Sequence, residues 1–169
     1  NLVGRGGDQV RDVATSAVTL LYPTQEELKT HLPAPPAPDE DILILQCFED
    51  CYSEPVISGQ ALQAALLRIY GPEGSNLVAA ERVHTLGFAQ LSDWMSGSLP
   101  PADAEPVGRL MEEAEWVVLA LADYNPDEFP AARAVKDLLR QREYYLGSKK
   151  VVAIAFDGPH HLDTNEVAK

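Results

Sequence analysis

The segment Lys149–Asp163, KKVVAIAFDGPHHLD, decides how the rest of the chain is read. Val151 to Phe156 is an unbroken apolar run that stops at Asp157-Gly158-Pro159, after which come two histidines and a second aspartate. A run of that length, partly β-branched and flanked by Lys149, Lys150 and Gly158, predicts a strand covered on both faces of a parallel sheet. Ligands of such sheets lie beyond the carboxyl ends of the strands, so residues 157–163 are the first place to seek a site.

The same punctuation recurs upstream. Trp116–Leu121 is a second apolar run, ended by Asp123-Tyr124-Asn125-Pro126. Ile42–Leu45 is a shorter one, ahead of a loop (47–58) that holds both cysteines, and Val83–Leu86, although it contains His84 and Thr85, reads as a further short strand. Helical spacing fills the gaps. Leu62, Ala65, Leu66 and Ile69 predict a helix from Ser58 to Tyr70, stopped by Gly71-Pro72. Phe88, Leu91 and Met95 mark another, Val107, Leu110, Met111 and Ala114 a third, and Ala131, Ala134, Val135, Leu138 and Leu139 a fourth that runs to about Arg142. Strands alternating with helices imply right-handed crossovers and an α/β fold: a three-layer αβα sandwich around a doubly wound, mostly parallel sheet of flavodoxin-like type.

An amphipathic helix over 8–22, with Val10, Val13, Ala14, Ala17, Val18 and Leu21 on one face, precedes this pattern. HLPAPPAPDED, residues 31–41, has four prolines and no periodicity, and reads as extended or polyproline II chain. The expected organisation is a leading helix and connection from an upstream domain (1–30), a proline-rich linker (31–41) and an αβα domain (42–169), one domain overall. Asp163 and Glu166 have the spacing of a capping box, yet only about one turn follows before Lys169. The natural protein is therefore expected to continue past this point and to begin before Asn1.

A net charge of −13 and a pI near 4.6, with no basic patch, exclude nucleic acid and anionic membrane as expected partners. No apolar run approaches the roughly 20 residues that cross a bilayer. Cys47 and Cys51 are too few for a disulfide framework or for a zinc site of their own. A bridge between them needs Cα atoms within about 7 Å, which a folded loop permits and an extended strand does not, so bridge and free thiols both stay open.

Three strand-end loops carry the candidate chemistry, with Asp50, Asp123, Asn125, Asp157, His160, His161 and Asp163 as their polar members. Adjacent histidines diverge unless the loop folds tightly, and no HExxH-type spacing supports them, so no metal site is expected. There is no G-x-S-x-G elbow; Ser58-Gly59 and Ser96-Gly97-Ser98 read as helix caps and a turn. Gly4-Arg5-Gly6-Gly7 follows no strand, and Gly71-Pro72-Glu73-Gly74-Ser75 carries an acid that repels phosphate, so neither is expected to hold a nucleotide cofactor. Trp94 and Trp116 read as core or interface residues in preference to sugar platforms.

The order of segments resembles the second, αβα domain of bacterial family 3 glycoside hydrolases, in the β-N-acetylhexosaminidase-like branch. The resemblance rests on Val13–Leu21 (VATSAVTLL), Asp41–Ile44, Leu66–Pro72, Ala114–Val118, Asn125–Ala131 (NPDEFPA) and Lys149–Asp163. It implies an accessory domain that packs on an upstream (β/α)8 barrel of the same polypeptide and borders its carbohydrate site, in an extracytoplasmic or cell-surface setting. In that branch the catalytic residues belong to the barrel, and its K-H-F-P-G-like motif has no counterpart here, so no catalytic residue is carried over. Substrate contact is expected from Asp123, Asn125, Asp157, His160, His161 and Asp163, without cofactor or metal. The alternatives are a stand-alone carbohydrate- or protein-binding α/β module and a flavodoxin-like small-ligand domain.

Overall fold

A computed structural model describes residues 24, 26–27, 29, 33–46, 59–121 and 130–155. The chain divides into two compact units, residues 1–34 and 35–169, so the boundary falls inside the proline-rich stretch.

In the first unit, residues 26, 27 and 29 are helical, and Thr24 and Glu27 form a capping box. Glu27 N–H donates to Thr24 Oγ1 (3.3 Å), while Thr24 N–H and Oγ1 donate to Glu27 Oε2 at 2.9 and 2.8 Å. These bonds hold the Glu27 carboxyl below its ordinary pKa. The helix expected over 8–22 lies outside the described residues.

The second unit runs β1 (Ile42–Gln46), α1 (Gly59–Tyr70), β2 (Val83–Gly87), α2 (Phe88–Met95), α3 (Pro101–Glu113), β3 (Trp116–Leu121), α4 (Pro130–Arg140), α5 (Arg142–Tyr145) and β4 (Lys150–Ala155). The strands form one sheet in the order β2-β1-β3-β4, all parallel. This is the expected α/β architecture with the flavodoxin-like strand order. The path runs from β1 to β2 on one side, then back across β1 to β3 and on to β4. Because crossovers keep one hand, reversing direction moves the connecting helices to the other face.

The core divides accordingly. Ile42, Ile44, Val83, Trp116 and Val118 pack with Leu62 and Leu66 of α1. Leu43, Leu45, Val117, Leu119 and Leu121 face α2, α3 and α4 through Phe88, Leu91, Val107, Met111 and Leu138. Every residue of β1 and β3 is buried, as unbroken apolar runs require.

β4 corrects the reading of the opening segment. Its strand is present, but among the described residues it is an outer strand of the sheet, and Val151 and Val152 are 41% and 36% exposed. These neighbours point to opposite faces, so neither face is fully covered at this position. Apolar continuity marks a strand; its place in the sheet depends on which partner it finds.

Local punctuation explains the helix ends. Gly71 N–H closes α1 on Leu67 O at 2.7 Å, and Leu77 and Val78 N–H donate to Tyr70 O. A Cβ on Gly71 would lie 2.3 Å from Leu67 O. Gly74, Ser75 and Asn76 also donate inward, to Gly71 O and Ile69 O, so this loop is the expected turn. After α2, Gly97 adopts φ +72°, and Ser96 Oγ bonds Asp93 O. α3 starts six residues ahead of its first periodic position, Val107, because Pro101 is preorganised for the first helical turn. α4 ends at Arg140, ahead of the expected Arg142, and Gln141 separates it from α5.

Candidate functional site

The switch point of the sheet lies between β1 and β3, where β1 connects away from its neighbour, and Gln46 is the last residue of β1. Gln46 is 2% exposed, and neither its Nε2 nor its Oε1 has a hydrogen-bond partner among the described residues. By strand alternation its side chain projects to the face of Ile42 and Ile44, the one covered by α1. Its register partners are Gly87 on β2, with no side chain, and Ala120 on β3, with only a methyl. Neither can satisfy a carboxamide. α2 begins immediately after Gly87 with no side-chain cap.

A buried amide left unpaired costs about 1–3 kcal/mol, so it is retained only where something else returns the hydrogen bonds. The carboxamide offers one acceptor and two donors close together. That set matches a neutral ligand with adjacent hydroxyl or amide groups, at the position where open α/β sheets bind their ligands.

The sequence-derived candidates Asp123, Asn125, Asp157, His160, His161 and Asp163 fall outside the described residues, as do Asp50 and the cysteines Cys47 and Cys51. Gln46 is not among the residues expected from sequence, because the apolar run ends at Leu45 and the candidate polar residues lie in the loops beyond. The available signal was a glutamine directly continuing an apolar run. Among the described residues no group of three or more histidine, cysteine or acidic side chains is placed to hold a metal ion. No described helix is long and apolar enough to cross a membrane.

The opposite, amino end of the sheet is closed by charge. Glu40 Oε1 pairs with Lys150 Nζ at 2.5 Å, and its Oε2 accepts from Trp116 Nε1 at 2.7 Å and from Ala37 N–H at 3.0 Å. The Lys150 bond, aided by the others, holds the Glu40 carboxyl below its ordinary value against the opposing effect of burial. Asp41 Oδ2 pairs with Arg82 at 2.7 Å and its Oδ1 lies 3.3 Å from His84 Nε2. The acidic end of the proline-rich stretch thus holds β2, β3 and β4 together. Trp116 is core, 8% exposed, with Lys150 4.9 Å above its ring.

Beside this end is a groove of about 580 Å³ whose lining includes Trp94, Glu112, Glu143, Tyr144, Tyr145 and Lys149. Trp94 and Tyr145 meet edge to face at 5.6 Å, and Tyr145 and Tyr144 at 4.8 Å. Trp94 thus borders open space, whereas Trp116 is core.

No protein-family model, curated protein or solved structure matches the chain.

Proposed function

We propose that residues 35–169 form an accessory, non-catalytic α/β domain of a family 3-type glycoside hydrolase, whose strand carboxyl edge contributes contacts to a carbohydrate held by an upstream barrel. The observation that carries this reading is the buried Gln46 carboxamide at the switch point, which has no partner among the described residues. A sugar offers adjacent hydroxyl or acetamido groups that answer an amide's donors and acceptor together. The segments Asn125–Ala131 and Lys149–Asp163 supply the family resemblance.

Three measurements test it. Residues 1–169 alone should not turn over chromogenic N-acetylglucosaminides, and turnover would sink the non-catalytic reading. The reading frame upstream should encode a barrel of about 300 residues, a usual size for that fold with insertions; its absence would leave the stand-alone binding module. In the full polypeptide, Gln46→Ala should raise KM by about 5–10-fold with kcat nearly unchanged, the effect of one or two lost ground-state hydrogen bonds.

A further inference from the structure

The groove at the amino end of the sheet is separate from the Gln46 edge and has its own chemistry. Two carboxylates border it, Glu112 and Glu143, and neither makes a side-chain hydrogen bond or ion pair among the described residues. Its one lysine, Lys149, is already committed: Nζ donates to Glu112 O at 2.9 Å and Ala114 O at 2.5 Å, closing the carboxyl end of α3. Burial of this ammonium pulls its pKa down, against the neighbouring charges of Glu115 and Glu112.

The aromatic side is built in advance. Trp94, Tyr145 and Tyr144 form a ladder of steeply inclined rings, at 64° and 88°, each ring holding the next. Gly108 lies against the indole at ordinary contact distance, a Cβ there falling 3.6 Å from Trp94 Nε1. Tyr144 remains 83% exposed. Ring faces carry the negative lobe of the aromatic quadrupole, so rings and carboxylates favour the same sign of ligand.

We propose that this groove binds an organic monocation, an ammonium or guanidinium group with apolar substituents. Its charge meets Glu112 and Glu143, and its substituents pack on the Trp94–Tyr145–Tyr144 ladder. Anions are repelled by both carboxylates. A neutral ligand of the same shape gains the packing alone. The net charge of −13 raises the local concentration of cations around the whole molecule. Formal charge along the groove is −1 with Lys149 counted, the sum of Glu112, Glu143 and Lys149, which suits a single positive group.

Choline is the probe, titrated into residues 1–169 and followed by NMR shifts of the Trp94 indole N–H, with 3,3-dimethylbutan-1-ol as its uncharged isostere. Choline should bind saturably, and at least about threefold more tightly than the alcohol, the worth of a partly exposed cation–π and charge contact. Glu143→Gln and Tyr144→Ala should each weaken choline by a similar factor. Tyr144 is solvent-exposed, so its variant should retain the thermal unfolding transition. Equal binding of the alcohol, absence of saturable choline binding, or choline affinity unchanged in a folded Tyr144→Ala variant would overturn the proposal. Gln46 variants should leave choline binding unchanged, so failure here is distinguishable from failure of the carbohydrate reading.

Discussion

Glu40 reaches Lys150 across 110 residues of sequence: its Oε1 lies 2.5 Å from Nζ, while Oε2 takes the indole N–H of Trp116 at 2.7 Å. One carboxylate from a stretch that reads as linker therefore ties the outer strand β4 to its neighbour β3. The side chains are partly buried, 19% exposed for Glu40 and 32% for Lys150, so the pair is stronger than a surface ion pair and still screened. Glu40→Gln keeps an acceptor for Trp116 and removes the charge. It should destabilise residues 1–169 by about 1–2 kcal/mol in urea unfolding. A double-mutant cycle with Lys150→Met should show that most of this loss is shared, and additive losses would refute the coupling.

The same carboxylate gives a pH dependence with a definite sign. Its folded pKa lies below the ordinary 4.5 because Lys150 and the hydrogen bonds favour the charged form. Stability from this group is therefore fully present above its unfolded value. It is lost as pH falls from near 4.5 through the lower folded value. Unfolding free energies measured across that acid range should fall less steeply for Glu40→Gln than for the parent.

Gln46 predicts a trade between stability and binding. Gln46→Met keeps the length and removes an unpaired buried amide, so the ligand-free chain should gain about 1–3 kcal/mol of stability. A comparable loss in thermal unfolding would mean that the carboxamide is satisfied within the chain.

Two glycines should respond oppositely to alanine. At Gly71 the new Cβ would lie 2.3 Å from Leu67 O, a clash with backbone, and the cost should be at least about 2 kcal/mol. At Gly108, inside α3, the nearest atom is 3.6 Å away, and alanine should stabilise by about 0.5–1 kcal/mol through helix propensity. Chemical denaturation of both variants checks the contrast.

The valines of β3 and β4 separate core from edge. Val117, 0% exposed, should cost about 2–4 kcal/mol when replaced by alanine, whereas Val152→Thr on the outer strand should change stability by less than about 0.5 kcal/mol. A large loss at Val152 would mean that β4 is covered in solution.

The sequence by itself determined the strands, their alternation with helices and hence the parallel, doubly wound sheet. These follow from local spacing: uninterrupted apolar runs at Ile42, Trp116 and Val151, the short segment Val83–Leu86, and three-and-four periodicity between them. It also marked the glycine and proline stops, because Gly97 takes a positive φ and Gly71 leaves no room for a Cβ beside Leu67 O. Only the tertiary structure decided which run lies at the edge, because burial depends on the partner strand and not on the run itself. For the same reason Val151–Phe156 read as central, although its described residues form the outer strand. The Glu40 clamp and the orphaned Gln46 were equally hidden. Both arise from contacts or missing contacts between residues far apart in the chain, and hydrophobic periodicity has no term for either.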